Sequence, residues 1–199
     1  MKKTALLTFA IIVTMATVAT RSPARTGAGG QVSSEVRARA AGIFTALDKI
    51  EAEQGRPGPA PGSRSLTFTE AELNAYAACR LDAESGPYVK AAEFKLLAGD
   101  KFEGRITIDL GKPRVSGILP QKQDLLFAAR SETRDGKIRI NIDSLFLGTQ
   151  PIAPAFVDVI IDVVARLQGV EPASLKDWYD LPPGVLRLET RPGRVVVIY

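Results

Sequence analysis

The sequence predicts an α+β fold: a curved antiparallel β-sheet of about six strands wrapped around or packed on one long apolar helix, with a further helix ahead of it. Three observations predict it. Residues 136–147 alternate, with Ile138, Ile140 and Ile142 on one face and Arg139, Asn141 and Asp143 on the other, the period-two pattern of a half-buried strand. Gly99-Asp100 and Asp135-Gly136 stand between apolar runs as hairpin turns, which makes an antiparallel meander rather than a crossover sheet. Residues 155–168 set Phe156, Val157, Ile160, Ile161, Val163, Val164 and Leu167 against a thin stripe of Asp158, Asp162 and Arg166. A helix about 20 Å long with so wide an apolar arc needs cover on two sides, or contact with something other than this chain.

The chain divides into residues 1–24, read as a cleaved export signal, residues 25–65, an N-terminal helix and a Pro/Gly linker, and residues 66–199, a single α+β domain. Lys2 and Lys3 precede an uncharged apolar run from Ala5 to Ala19 that ends in small residues, the layout of a secretory signal. That run is short of the roughly 20 residues that span a bilayer. Export to a bacterial periplasm or cell envelope follows, with an uncleaved anchor as the competing reading. The formal net charge of +4 falls to +2 without Lys2 and Lys3, and no dense basic cluster with interleaved aromatics argues for nucleic acid. A single cysteine, Cys79, forms no internal disulfide.

In chain order, a helix is expected from Ser34 to Glu53, with Val36, Ala40, Ile43, Phe44, Leu47 and Ile50 at helical spacing. It either docks on the domain or stands off as an arm for an envelope partner; its moderately apolar stripe favours docking. Residues 55–65 read as an exposed linker. Leu66 and Phe68 mark a short extended piece, and Thr69 with Glu72 has capping-box spacing at the start of a helix that buries Leu73, Tyr76, Ala77 and Leu81. Glu70, Glu72 and Asn74 read as a cap and a solvated face in preference to a polar site.

Phe94 with Leu96, then Phe102, Ile106, Ile108 and Leu110, give two paired strands, and residues 114–119 a weaker third. Leu125, Phe127 and Ala129 form the inward set of the strand that pairs with residues 137–147. The parity change from Ile142 to Leu145 calls for a bulge near Asp143-Ser144. A helical turn is expected at residues 175–179, then two strands, of which VVVIY is either a central strand covered on both faces or a strand with one face against lipid or ligand. Trp178 and Tyr179 cap one end of the core, in preference to forming the mouth of a binding site.

The LTFTEAELNAY helix start, the SLFLGTQPIAP turn into the apolar helix, and LPPGVLRLETRPGRVVVIY together resemble the exported bacterial proteins of the LmeA and YpmS type, related to the tubular lipid-binding superfamily. The resemblance covers residues 66–199. It implies a curved sheet around a long helix with an apolar groove, a non-catalytic role and no catalytic residues.

Composition limits the chemistry. The absence of histidine removes the usual general base and the commonest zinc ligand, so no metal site, cofactor or Ser–His or Cys–His nucleophile is expected. Cys79 reads as a small core residue. Carboxylate pairs, Asp82 with Glu84, Asp100 with Glu103 and Asp158 with Asp162, leave a two-acid hydrolase as a distant third reading. The favoured function is non-catalytic binding of a lipid or other long apolar ligand, with peripheral membrane contact. Its expected lining is Phe94, Ile106, Ile108, Phe127, Ile140, Ile142, Phe156, Ile160 and Val164. The alternative is a structural module with a dry core that engages an envelope protein through Ser34–Glu53. A cavity of roughly 300 Å³ or more distinguishes the first from the second.

Overall fold

Ser33 begins the first helix, α1 (Ser34–Glu53), by accepting the Val36 N–H on its side chain at 3.3 Å. The computed structural model describes residues 32–54, 62, 64–84, 89–109, 122–153, 155, 158, 174 and 177–199. Most of the apolar helix expected over residues 155–168, the strand at 114–119, the export signal and residues 55–61 lie outside them. The described residues form an α+β fold: two helices and a curled antiparallel sheet, joined by a smaller sheet.

α1 is docked. Ala40 and Ile43 have no exposed surface and Ile50 is buried, all within the common core. The Phe44 ring meets Tyr76 of the second helix, α2 (Glu70–Glu84), with centroids 4.7 Å apart. Gly184, in the Leu181-Pro182-Pro183-Gly184 turn, lies against Ile50, where a Cβ would collide with the isoleucine side chain.

The larger sheet is the expected meander of β2 (Val89–Leu96), β3 (Lys101–Asp109), β4 (Lys122–Arg134) and β5 (Lys137–Leu147). Short strands β6 (Gln150–Pro151) and β7 (Tyr179–Asp180) add to the outer edge of β5. Asp135 and Gly136 turn the β4–β5 hairpin with φ of 51° and 72°, a twist that matches the strands it joins. Ala128 lies opposite Ser144 and Ala129 opposite Ile142, so Asp143 is the inserted residue of a bulge where the apolar parity changes. Leu125, Phe127, Ala129, Ile138, Ile140 and Leu145 are all buried on the inner face.

One cross-strand row of that face is Phe94, Gly104 and Phe127. The Phe127 ring lies over Gly104 and occupies the place of the missing Cβ. Phe102 then packs edge-on to Phe127, centroids 5.9 Å apart at 88°, and beside Phe94 at 6.5 Å.

The C-terminal strands correct the expectation of one continuous sheet. β8 (Arg187–Arg191) and β9 (Arg194–Ile198) pair with the early strand β1 (Ser65–Thr69) in a three-stranded sheet of order β1-β9-β8. β9 is central, and Val195, Val196 and Val197 are buried in succession, as a strand covered on both faces requires. The end of the supposed linker is also structural: Arg64 exchanges backbone hydrogen bonds with Tyr199 at 3.3 and 3.0 Å. The helical turn expected at residues 175–179 is corrected at its end, because Tyr179 pairs as a strand with Ile138.

Glu70 and Asn74 are not a solvated face. Asn74 Nδ2 donates to the Phe94 carbonyl at 2.8 Å, and Asn74 Oδ1 accepts the Phe94 N–H at 2.7 Å. Glu70 Oε2 accepts the Leu96 N–H at 2.6 Å. Gly193 bridges the same place, donating to the Leu96 carbonyl at 3.1 Å and accepting the Glu70 N–H at 2.9 Å. The β2 edge, which would otherwise offer unpaired backbone groups, is thus satisfied by side chains of α2 and by the tip of the β8–β9 hairpin. Asp100 ties the sheets from the other side: its carbonyl accepts Ser131 N–H at 2.8 Å and its Oδ1 accepts Thr190 N–H at 2.9 Å.

The expected capping box is present, with Thr69 N–H donating to Glu72 Oε2 at 2.7 Å and Glu72 N–H to Thr69 Oγ1 at 3.2 Å. The Thr69 backbone bond, followed by the Thr69 hydroxyl, holds the Glu72 carboxyl below its ordinary value. A depressed carboxyl stabilises the fold above its unfolded pKa and loses that contribution as pH falls through the folded value. Thermal unfolding of Glu72→Gln should therefore lie below wild type at neutral pH and converge on it as pH falls through the lowered folded value. Gly104→Ala should destabilise the fold by about 1–3 kcal/mol in chemical denaturation, because the Phe127 ring must leave its position.

Candidate apolar binding site

The inner faces of the two sheets meet α2 around an apolar cavity of about 70 Å³. Leu73, Tyr76 and Ala77 of α2 form one wall; Phe94, Leu96, Phe102, Ile138 and Ile140 of the larger sheet form a second; Leu188 and Val195 of the smaller sheet close it. The hydroxyls of Ser131 and Thr190 also line the cavity, and that of Thr190 donates to the Lys101 carbonyl at 3.1 Å. With the Ser131 and Thr190 hydroxyls turned to backbone carbonyls, the cavity offers a guest mainly dispersion contacts and exclusion of water.

Of the described residues expected to line a groove, Phe94 and Ile140 reach this cavity. Ile106, Ile108 and Phe127 are buried in the sheet's own core, Ile142 is half-buried, and Phe156, Ile160 and Val164 lie outside the described residues. Among the described residues the helix over the cavity is α2; the helix expected at residues 155–168 lies mostly outside them. Sequence reasoning missed Leu96 and Phe102 as lining, although both share the parity of Phe94 and Ile106. It did not single out Leu188 and Val195; the apolar run that contains Val195 allowed a face against a ligand, but which residues reach the cavity depends on the pairing of β9 with β1 and β8.

A second, open depression of about 700 Å³ lies across the outer face of the larger sheet. One cross-strand row there runs Glu93, Arg105, Leu126, Phe146, and the next runs Lys95, Glu103, Ala128, Ser144. Lys95 and Glu103 form an exposed ion pair at 3.3 Å. Phe146 is the large apolar side chain left exposed among the described residues, at 37%. Glu70, Asn74 and Phe94 form the end of this depression nearest α2.

The aromatic pair near the C-terminus lines neither cavity. The Arg139 guanidinium covers the Trp178 ring at 4.8 Å and donates to Glu132 at 2.6 Å, which holds the Glu132 carboxyl low. Asp158, expected on a solvated stripe, is half-buried and accepts a hydrogen bond from Ser174 Oγ at 3.2 Å. Tyr179 donates its hydroxyl to the Ser174 carbonyl at 2.6 Å. Cys79, half-buried between the helices, has its thiol pushed up chiefly by burial, the reverse of an activated thiolate.

Burial, with Asp177 and Asp158 nearby, raises the Tyr179 phenol to about 12. A phenol whose folded pKa lies above its unfolded value contributes stability below the unfolded pKa and loses it as pH rises through the folded one. Stability should therefore fall between about pH 10 and the folded value, and Tyr179→Phe should flatten that fall when unfolding is followed by circular dichroism.

Comparison with known proteins adds no relative: no family model matches the chain, and neither a curated protein nor a solved structure does.

Proposed function

We propose that this chain is a non-catalytic protein of the bacterial cell envelope that binds a lipid or other long apolar ligand between the inner face of its curled sheet and the helices that cover it. The observation that carries the reading is the cavity between α2 and the two sheets, apolar on nearly every side. Each methylene of an alkyl chain buried there gains about 0.8 kcal/mol, so a site of this kind binds without many polar contacts. The signal-like residues 1–24 and the resemblance of residues 66–199 to the exported LmeA and YpmS type point to the same place and the same class of ligand. On this reading residues 155–168 form the long apolar helix on which the remaining inner face packs, bringing Phe156, Ile160 and Val164 toward Ile106, Ile108 and Ile142.

A second reading is a module with a dry core that works by engaging an envelope partner. It is favoured by the size of the cavity, about 70 Å³, far short of the roughly 300 Å³ expected of a ligand site and near half of the roughly 150 Å³ that accommodates benzene in an engineered core. Under the first reading, uptake of a chain therefore requires the core to open.

Native mass spectrometry of the full chain, purified from an envelope fraction without detergent, separates the two. The proposed function predicts a stoichiometric adduct, released by organic extraction and lost in Ile140→Phe once circular dichroism shows that variant to be folded. A clean unliganded mass, unchanged after incubation with envelope lipids, would overturn it in favour of the dry core.

A further inference from the structure

The interior cavity and the outer depression are neighbours. Phe94 borders both, Leu73 faces the cavity, and the next residue, Asn74, faces the depression. What separates them is the seam between α2 and β2. No strand ladder crosses that seam: side chains hold it, by two hydrogen bonds of Asn74 to Phe94 and one of Glu70 to the Leu96 N–H, helped by Gly193.

Resting on the binding reading above, we propose that this seam is the port through which the ligand enters, and that the ligand is a single-chain amphiphile with a zwitterionic head. Parting Asn74 from Phe94 joins the open depression to the apolar interior along one path. The chain passes beneath α2, and the head remains on the outer face. That face carries both signs: Lys95 and Glu103 are already paired, whereas Glu93 and Arg105, directly opposite each other, make no ion pair with each other. A head bearing one positive and one negative group complements that couple; a neutral head does not.

The probe is ¹³C-labelled dodecylphosphocholine, held below its micelle concentration, with the full chain and exchange rates read by NMR. Asn74→Ala should raise the on-rate and the off-rate together by about tenfold and leave Kd within about twofold, as opening a gate rather than altering a site requires. Thr107→Val, which removes a hydrogen bond to Asp124 Oδ1 away from the seam and from both cavities, should leave both rates unchanged. Dodecyl maltoside should bind at least fivefold more weakly than the phosphocholine, and Arg105→Gln should abolish that preference. Uptake with rates unchanged in Asn74→Ala overturns the port and leaves the binding reading standing. No preference between the two heads overturns the head assignment. Absence of uptake by wild type overturns port and reading together.

If Asn74→Ala fails to fold, amide exchange in the wild type decides. The Phe94 and Leu96 N–H groups should exchange through an opening at least tenfold more frequent than that exposing Ile106 and Leu125. Exchange of all four only on global unfolding would contradict a working seam.

Discussion

The structure depends on how one exposed sheet edge is satisfied. Among the described residues β2 ends the larger sheet, and its outward backbone groups at Phe94 and Leu96 have no strand to pair with. Asn74 and Glu70, one helical turn apart on α2, supply an amide and a carboxylate in place of that strand, and Gly193 supplies the remaining donor. A buried edge without such partners would cost about 1–3 kcal/mol for each unmet group. Meeting them fixes α2 against the larger sheet and the β8–β9 hairpin against α2. The cavity forms where these three pieces meet.

The same arrangement makes the interior divisible. The larger sheet is stitched internally by ladders, and its aromatic core of Phe94, Phe102 and Phe127 is interlocked around Gly104. α2 meets it through a few side-chain bonds and an apolar face. Elements joined by side chains part at lower cost than elements joined by a ladder, and the cavity lies at that weaker joint. Under the proposed binding function, a protein that must admit an apolar guest without unfolding has to concentrate its softness in one place, and the α2–β2 seam is the place proposed.

Local periodicity carried much of the fold. The alternation of Ile138 to Ile142, the parity change at Asp143, the turns at Gly99-Asp100 and Asp135-Gly136, and the capping box of Thr69 and Glu72 were each legible because the signal and its cause lie within a few residues. The long-range pairing was not. Nothing local to Leu66 or Phe68 identifies β9 as their partner, and so the second sheet was hidden. Glu70 and Asn74 were misread for a related reason: a polar residue on a helix reads as solvated unless the strand edge it serves is known. The site was legible only in part, since the parity that exposes Phe94 and Ile140 to the interior also fills most of the core with side chains of the same kind.

The most direct test of the account is an intermolecular NOE experiment on the full chain with ¹³C-labelled dodecylphosphocholine bound. A ligand held between the inner sheet face and α2 must bring its terminal methyl beside Ile138, Ile140 and Leu73, which line the cavity. The account predicts cross-peaks from the chain end to these methyl groups. Cross-peaks confined to Leu126 and Phe146 on the outer face would contradict it.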